Sequence, residues 1–211
     1  MINMDDSEFI KKFVTAYEIE KNRYSCLIKA LKDARKLTAR DSETGKPNND
    51  LLENKGSFLE PNSFIGIINY LLILDMIGEI FTNAGNTKKI TMTLERYASL
   101  SQKDRDTIAA LRNSLAHNYG LVNISTNGKQ AQKFQLIDSN DANFIEHPSR
   151  MWMGYSDKSE DSHTKVCLGK LIDLVESVYK NLKEEVEADP FKNFALKGGI
   201  EELKSRFTIR H

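Results

Sequence analysis

Between residues 7 and 37, apolar side chains recur at helical spacing. Phe9, Phe13 and Tyr17 fall every four residues, and Tyr24, Leu27, Ile28 and Leu31 extend the stripe. Lys11, Lys12, Glu18, Glu20, Lys29 and Lys32 occupy much of the remaining surface. The pattern predicts one long helix over 7–37, with Ser7 as its N-cap. Polarity then rises. Gly45, Pro47, Asn48 and Asn49 predict a loop over 38–62, with a short turn near Leu51–Leu52. Residues 63–82 are the most apolar stretch, SFIGIINYLLILDMIGEIFT. Asn69, Asp75 and Glu79 argue against a membrane span, since each ionised carboxylate would cost roughly 2.5–3.5 kcal/mol at a bilayer centre. A buried central helix fits better, ended by the polar run 83–89 with Gly85.

Residues 91–119 again read as helix, with a break near Ser99–Ser101. Ser101 and Asp104 stand at capping-box spacing, and Ile108, Leu111 and Leu115 continue an apolar stripe. Gly120 is placed to stop that helix. Two β-prone runs flank Asn127-Gly128, so 121–137 predicts a hairpin. Residues 138–162 are irregular and carry Met151, Trp152, Met153 and Tyr155. A further amphipathic helix is predicted over 163–188, stopped by Pro190. A short apolar turn (Phe191, Phe194, Leu196) and a last helix near 199–207 follow. The expected fold is mainly α: a four-to-five-helix up-and-down bundle with a β-hairpin insertion after the third long helix. Residues 1–211 read as a single domain. Residues 121–162 form its insertion and 190–211 its C-terminal helical extension.

Composition narrows the function classes. Lys plus Arg number 30 and Asp plus Glu 30, so the formal net charge is zero. No global field would draw phosphates, which excludes a histone-like coat but not a local basic site. Cys26 and Cys167 are far apart and form neither a disulfide scaffold nor a zinc motif. His147, His163 and His211 show no metal-ligand spacing and read as surface or loop residues. No phosphate-binding glycine loop and no HExxH or GxSxG signature is present. No metal and no cofactor are expected. The N-terminal residues lack a basic stretch followed by an apolar one, so no secretory leader is seen, and a cytoplasmic protein is expected.

One stretch carries chemistry. Arg112-Asn113-Ser-Leu-Ala-His117 ends a helix, with Tyr119 two residues beyond. RNA is cut without a metal when its own 2′-hydroxyl attacks the neighbouring phosphorus. Imidazole, with an ordinary pKa of ~6.5, can take or give the proton near neutrality. Arg is a permanently charged fork of donors for the oxygens that gain negative charge. Arg112 would hold the phosphate and His117 would move the proton. At ~100° per residue the five-residue step turns ~140°, so one straight helix does not put both on one face. A distorted helix end, a swung Arg side chain or a second subunit would resolve this. Asn113, four residues before His117, can reach its ring. Asp75 and Glu79, one turn apart on the apolar helix, would either orient Arg112 or His117 or form ordinary ion pairs.

This R-N-S-L-A-H run, with H-N-Y behind it, resembles the motif of the HEPN superfamily. Its helical-bundle members carry an Arg, usually followed by a polar residue, with four to six residues before a His. The resemblance implies a metal-independent endoribonuclease acting on an RNA substrate, in a toxin–antitoxin or phage-defence role. It also implies a homodimer in which two Arg/His pairs face one cleft. In one branch a partner nucleotidyltransferase antitoxin modifies a tyrosine with AMP, and Tyr119 stands at that position. The 121–137 hairpin and the longer chain depart from that branch. A purely structural reading of the same residues stays open: a helix-terminal His capping carbonyls, an Arg in a salt bridge and a Tyr packed beneath the cap. On that reading the chain is a non-catalytic helical module that binds a nucleotide or a protein.

Overall fold

The computed structural model describes residues 5–48, 63–82, 88–118, 120–124, 131–139 and 141–210, with the backbone alone for His117 and Asn118. Among the described residues the fold is mainly α. Seven helices form it: α1 (Asp6–Thr15), α2 (Cys26–Leu37), α3 (Phe64–Phe81), α4 (Lys89–Tyr97), α5 (Gln102–Asn118), α6 (Leu168–Ala188) and α7 (Gly199–Phe207). Two small sheets decorate them. One has the order β1 (Glu18–Glu20), β2 (Arg23–Ser25), β7 (Thr208–Arg210). The other has the order β3 (Val122–Ile124), β4 (Ala131–Ile137), β6 (His163–Cys167), β5 (Ile145–Glu146).

The long helix expected over 7–37 is two helices with a β-turn-β unit between them. Asp5, not Ser7, caps α1 by accepting the Glu8 N–H at 2.8 Å. The apolar period survives the interruption, but the backbone does not follow it. Asn22 adopts φ +61, a left-handed turn that asparagine tolerates. Ser25 then restarts the helix. Its hydroxyl accepts the Ile28 N–H and donates to the Phe13 carbonyl at 2.7 Å, tying α2 to α1. Tyr17 is not on the core stripe; it packs on Tyr24 with ring centroids 5.0 Å apart. Pairing of β2 with β7, from the far end of the chain, completes the unit.

A second correction concerns the hairpin. β3 and β4 pair antiparallel as expected, while Asn127-Gly128 lies outside the described residues. β4 also pairs in parallel with β6, so the insertion is part of a four-stranded mixed sheet. Residues 163–167, expected as the start of a helix, are therefore a strand. Thr164 and Val166 alternate inward with period two, which the longer helical stripe behind them hides. The break at Ser99–Ser101 is real. Ser101 accepts the Asp104 N–H at 3.2 Å, and Asp104 takes the Ser101 hydroxyl at 2.7 Å and the His147 ring at 2.8 Å. His147 is thereby an anchor for the segment after β5 rather than a loose loop residue. The turn expected at Leu51–Leu52 and the run containing Gly85 lie outside the described residues.

Helix α3 is the spine, packing against α2, α4, α5 and α6. It is the one described helix long and apolar enough to cross a membrane, but 61% of it is buried inside the protein. Tyr70, Ile67, Leu71, Leu74 and Ile77 are its fully covered side. Its outer face retains Ile65 and Leu72, 56% and 39% exposed. At Gly78 a Cβ would come within 2.5 Å of the Lys89 carbonyl, so glycine is what lets α4 start directly against α3. Thr93 adds a hydrogen bond to the Leu74 carbonyl at 3.0 Å.

A buried ionic knot ties the segment after α2 to α6. Arg35 donates to Glu176 through Nε (2.9 Å) and Nη2 (2.7 Å), and Tyr70 donates its hydroxyl to the same carboxylate at 2.7 Å. The remaining Arg35 nitrogen donates to the Ser42 and Glu43 carbonyls. Gly45, at φ +70, passes so close that a Cβ would sit 2.5 Å from Glu176 Oε2.

Candidate functional site

Ala109, Arg112 and Asn113 recur at three- and four-residue steps on α5, beside the buried stripe of Ile108, Leu111 and Leu115. The same spacing puts Leu72, Asp75, Met76 and Glu79 on one face of α3. These two faces are the walls of a cleft of about 510 Å³. The start of α4, held close by Gly78, supplies Lys88 and Lys89 to one end, and α7 supplies Arg206 and Phe207. A second cleft of about 480 Å³ shares Lys88, Thr91, Ala109 and Asn113 with it and continues to Asn123 of β3.

The cleft thus brings together four of the residues singled out from the sequence: Asp75, Glu79, Arg112 and Asn113. Arg112 Nη2 forms an ion pair with Asp75, both side chains about one-fifth exposed. Arg112 Nη1 donates to the Asn113 amide oxygen at 3.1 Å. The guanidinium is therefore held by a carboxylate on the neighbouring helix and by the side chain beside it, at the edge of a solvent-reaching cavity. His117 lies one turn beyond Asn113 on the same rod, by its backbone. Its side chain and all of Tyr119 are outside the described residues. The backbone N–H of Gly120 donates to the Ser114 carbonyl at 3.3 Å, past the last turn.

Asp75 and Glu79 take different partners. Glu79 binds Lys89 at 2.5 Å and Arg206 at 2.6 Å. The hydrogen bond from Lys89, then that from Arg206, hold its carboxyl below the usual range, against a smaller effect of burial. A depressed folded value means that the stabilisation is complete above the ordinary value of 4.5 and is lost as pH falls through the folded one. Glu79→Gln is accordingly expected to cost about 0.5–1 kcal/mol at pH 7. That difference should shrink on acidification below the carboxylate range. Thermal melts of both proteins from pH 7 to pH 2.5 check it, and a gap that widens toward acid would contradict the assignment.

Lys88, Lys89 and Arg206 were not visible as site residues in the sequence. A Lys-Lys pair before a helix is common, and Arg206 stands far from the motif along the chain. Among the described residues no three His, Cys, Asp or Glu side chains gather as a metal site. The Met-Trp-Met-Gly-Tyr segment splits between packing and exposure. Trp152 is buried, whereas Met151, Met153 and Tyr155 are 69%, 75% and 80% exposed. Arg150, bonded to Asp157 and Asp161, braces that segment. Comparison with protein families, with curated proteins and with solved structures finds no match for this chain.

Proposed function

We propose that this chain is a HEPN-type, metal-independent endoribonuclease that acts as a homodimer in the cytoplasm, in a toxin–antitoxin or phage-defence role. In this reading its helices form a four-to-five-rod up-and-down bundle carrying the β-sheet insertion. The observation that carries the proposal is the held guanidinium. Arg112 is fixed by Asp75 and Asn113 in an open cleft, five residues before His117 on the same rod.

In this mechanism the 2′-oxygen of a bound ribose attacks the adjacent phosphorus, and the bond to the 5′-oxygen of the next nucleotide breaks. His117 takes the 2′-proton or supplies one to the leaving oxygen, and Arg112 stabilises the charge gathering on the non-bridging oxygens. The products are a 2′,3′-cyclic phosphate and a 5′-hydroxyl. The exposed apolar residues Ile65 and Leu72 run along the α3 face that carries Asp75, which supports a second copy docking beside the cleft. AMP placed on Tyr119 by a nucleotidyltransferase partner would block RNA entry by bulk and like charge.

Wild type and His117→Ala, incubated with RNA in EDTA, test the reading. The expected result is cleavage by wild type that leaves cyclic-phosphate ends, with loss of activity in the variant. The rate should change over about one pH unit around ~6.5, the ordinary imidazole value. Equal, negligible cleavage by both dimeric proteins would favour the non-catalytic helical module, in which the Arg112–Asp75 pair serves only to hold α5 on α3.

A further inference from the structure

The cleft holds more positive charge than the Arg112–His117 chemistry uses. In a chain of zero net charge, its walls carry Lys88, Lys89, Arg112 and Arg206 against Asp75 and Glu79. These cations fall into two groups. Arg112 rests on Asp75. Lys89 and Arg206 rest on Glu79, four residues further along α3, with Lys88 beside them. Four residues of helix advance ~6 Å. Successive residues of one strand rise ~3.4 Å along a duplex axis, and their phosphates, which wind about that axis, lie farther apart than that. The carboxylates that anchor the two groups, Asp75 and Glu79, are thus set apart along α3 by a distance of the same order as that between neighbouring phosphates.

Resting on the ribonuclease reading, we infer that Lys89 and Arg206, aided by Lys88, form a second phosphate subsite that holds the phosphodiester next to the scissile one. Glu79 stands between these cations as a competing anion. Its carboxylate keeps the ammonium and the guanidinium converged on one place, and it also tempers their attraction for anions. Arg206 is 44% exposed and Lys89 25%, so both can turn part of their donor set to a ligand while keeping the bond to Glu79. Glu202 grips Arg206 from its own helix one turn back and steadies it further. The C-terminal helix α7 thereby becomes a wall of the substrate cleft rather than a mere appendage.

The test separates binding from cleavage. Fluorescent 2′-O-methyl oligoribonucleotides lack the attacking hydroxyl and are not cut. A dinucleotide with one phosphate and a trinucleotide with two are titrated against wild type, Lys89→Gln, Arg206→Gln and Lys88→Gln over a range of salt. Loss of a cation from this subsite should lower the salt slope by up to ~0.7, the share of one phosphate, and weaken the trinucleotide about fivefold at 0.1 M salt. The dinucleotide should bind all four proteins alike. Arg206→Lys should recover most of the loss, and Glu79→Gln should tighten the trinucleotide severalfold by removing the competing negative charge. Folding of each variant is checked by its thermal melt.

Unchanged trinucleotide affinity and slope in folded Lys89→Gln and Arg206→Gln would overturn the subsite. So would an equal loss for both oligonucleotides. Ordinary RNA measured in parallel keeps the two ideas apart. Cleavage that depends on Arg112 but ignores Lys89 and Arg206 would leave the nuclease reading standing and end this one. Phosphate-count-dependent binding without any cleavage would do the reverse.

Discussion

RNA cleavage by Arg112→Ala is expected to fall by about 10²–10³-fold in kcat, the scale on which removing a preorganised donor from a developing anion acts. The reason lies in the way the guanidinium is held. Asp75 and the Asn113 amide fix its direction before substrate arrives, so little reorganisation remains at the moment of reaction. Arg112→Lys should restore little, because an ammonium cannot serve Asp75 and two phosphate oxygens in one plane. Asp75→Asn should act more mildly. It leaves the charge on Arg112 and loosens only its aim, so kcat should fall by about tenfold while the thermal melt moves little. Single-turnover cleavage of a short RNA with saturating protein reads the chemical step. Arg112→Ala at wild-type rate would end the catalytic assignment, whatever its effect on binding.

The second large effect concerns stability. Glu176→Ala is expected to lower the unfolding free energy by about 3–5 kcal/mol, the cost of stranding the partner of a buried ion pair. Arg35 and Tyr70 both donate to this carboxylate, and their side chains are almost wholly covered. Burial alone would ease the proton off Arg35, but the Glu176 bond and charge outweigh it and hold the guanidinium charged. Burial first, then the Glu176 charge, push the Tyr70 hydroxyl well above its ordinary range, so it stays a donor. Tyr70→Phe, which loses one bond to a charged acceptor, should cost less, about 1.5–3 kcal/mol. Urea titration with an unchanged slope measures both. A Glu176→Ala loss below about 1 kcal/mol would show that solvent reaches the knot.

Much of the helical core was readable from periodicity. The stretch 63–82 became α3 because its apolar run is longer than any strand needs. The break near Ser101 was marked by a side chain that caps a helix whatever surrounds it. Two of the departures from the helical pattern share a cause. Arg23–Ser25 and His163–Cys167 each pair with a segment distant in sequence, β7 for the first and β4 for the second, while Glu18–Glu20 pairs with Arg23–Ser25 across a local turn. Local spacing carries no trace of such a partner. The site divided the same way. Arg112 and Asn113 were legible as neighbours on one helix, and Asp75 and Glu79 as neighbours on another. That Asp75 would meet Arg112, and Glu79 would meet Lys89 and Arg206, depends on how α3, α4, α5 and α7 pack.

The strand pair β2–β7 joins residues far apart in the sequence, and β7 follows α7 directly. The remaining walls of the cleft come from α3, α4 and α5, which follow one another closely. Closing a loop costs entropy that grows with its length, by about 0.6 kcal/mol for each doubling. Contacts among the three successive helices are therefore cheap to make early, while the arrival of Arg206 waits on the long-range closure of β2 on β7. A chain still emerging from the ribosome would carry the Arg112 pocket half walled, with its last cation not yet in place.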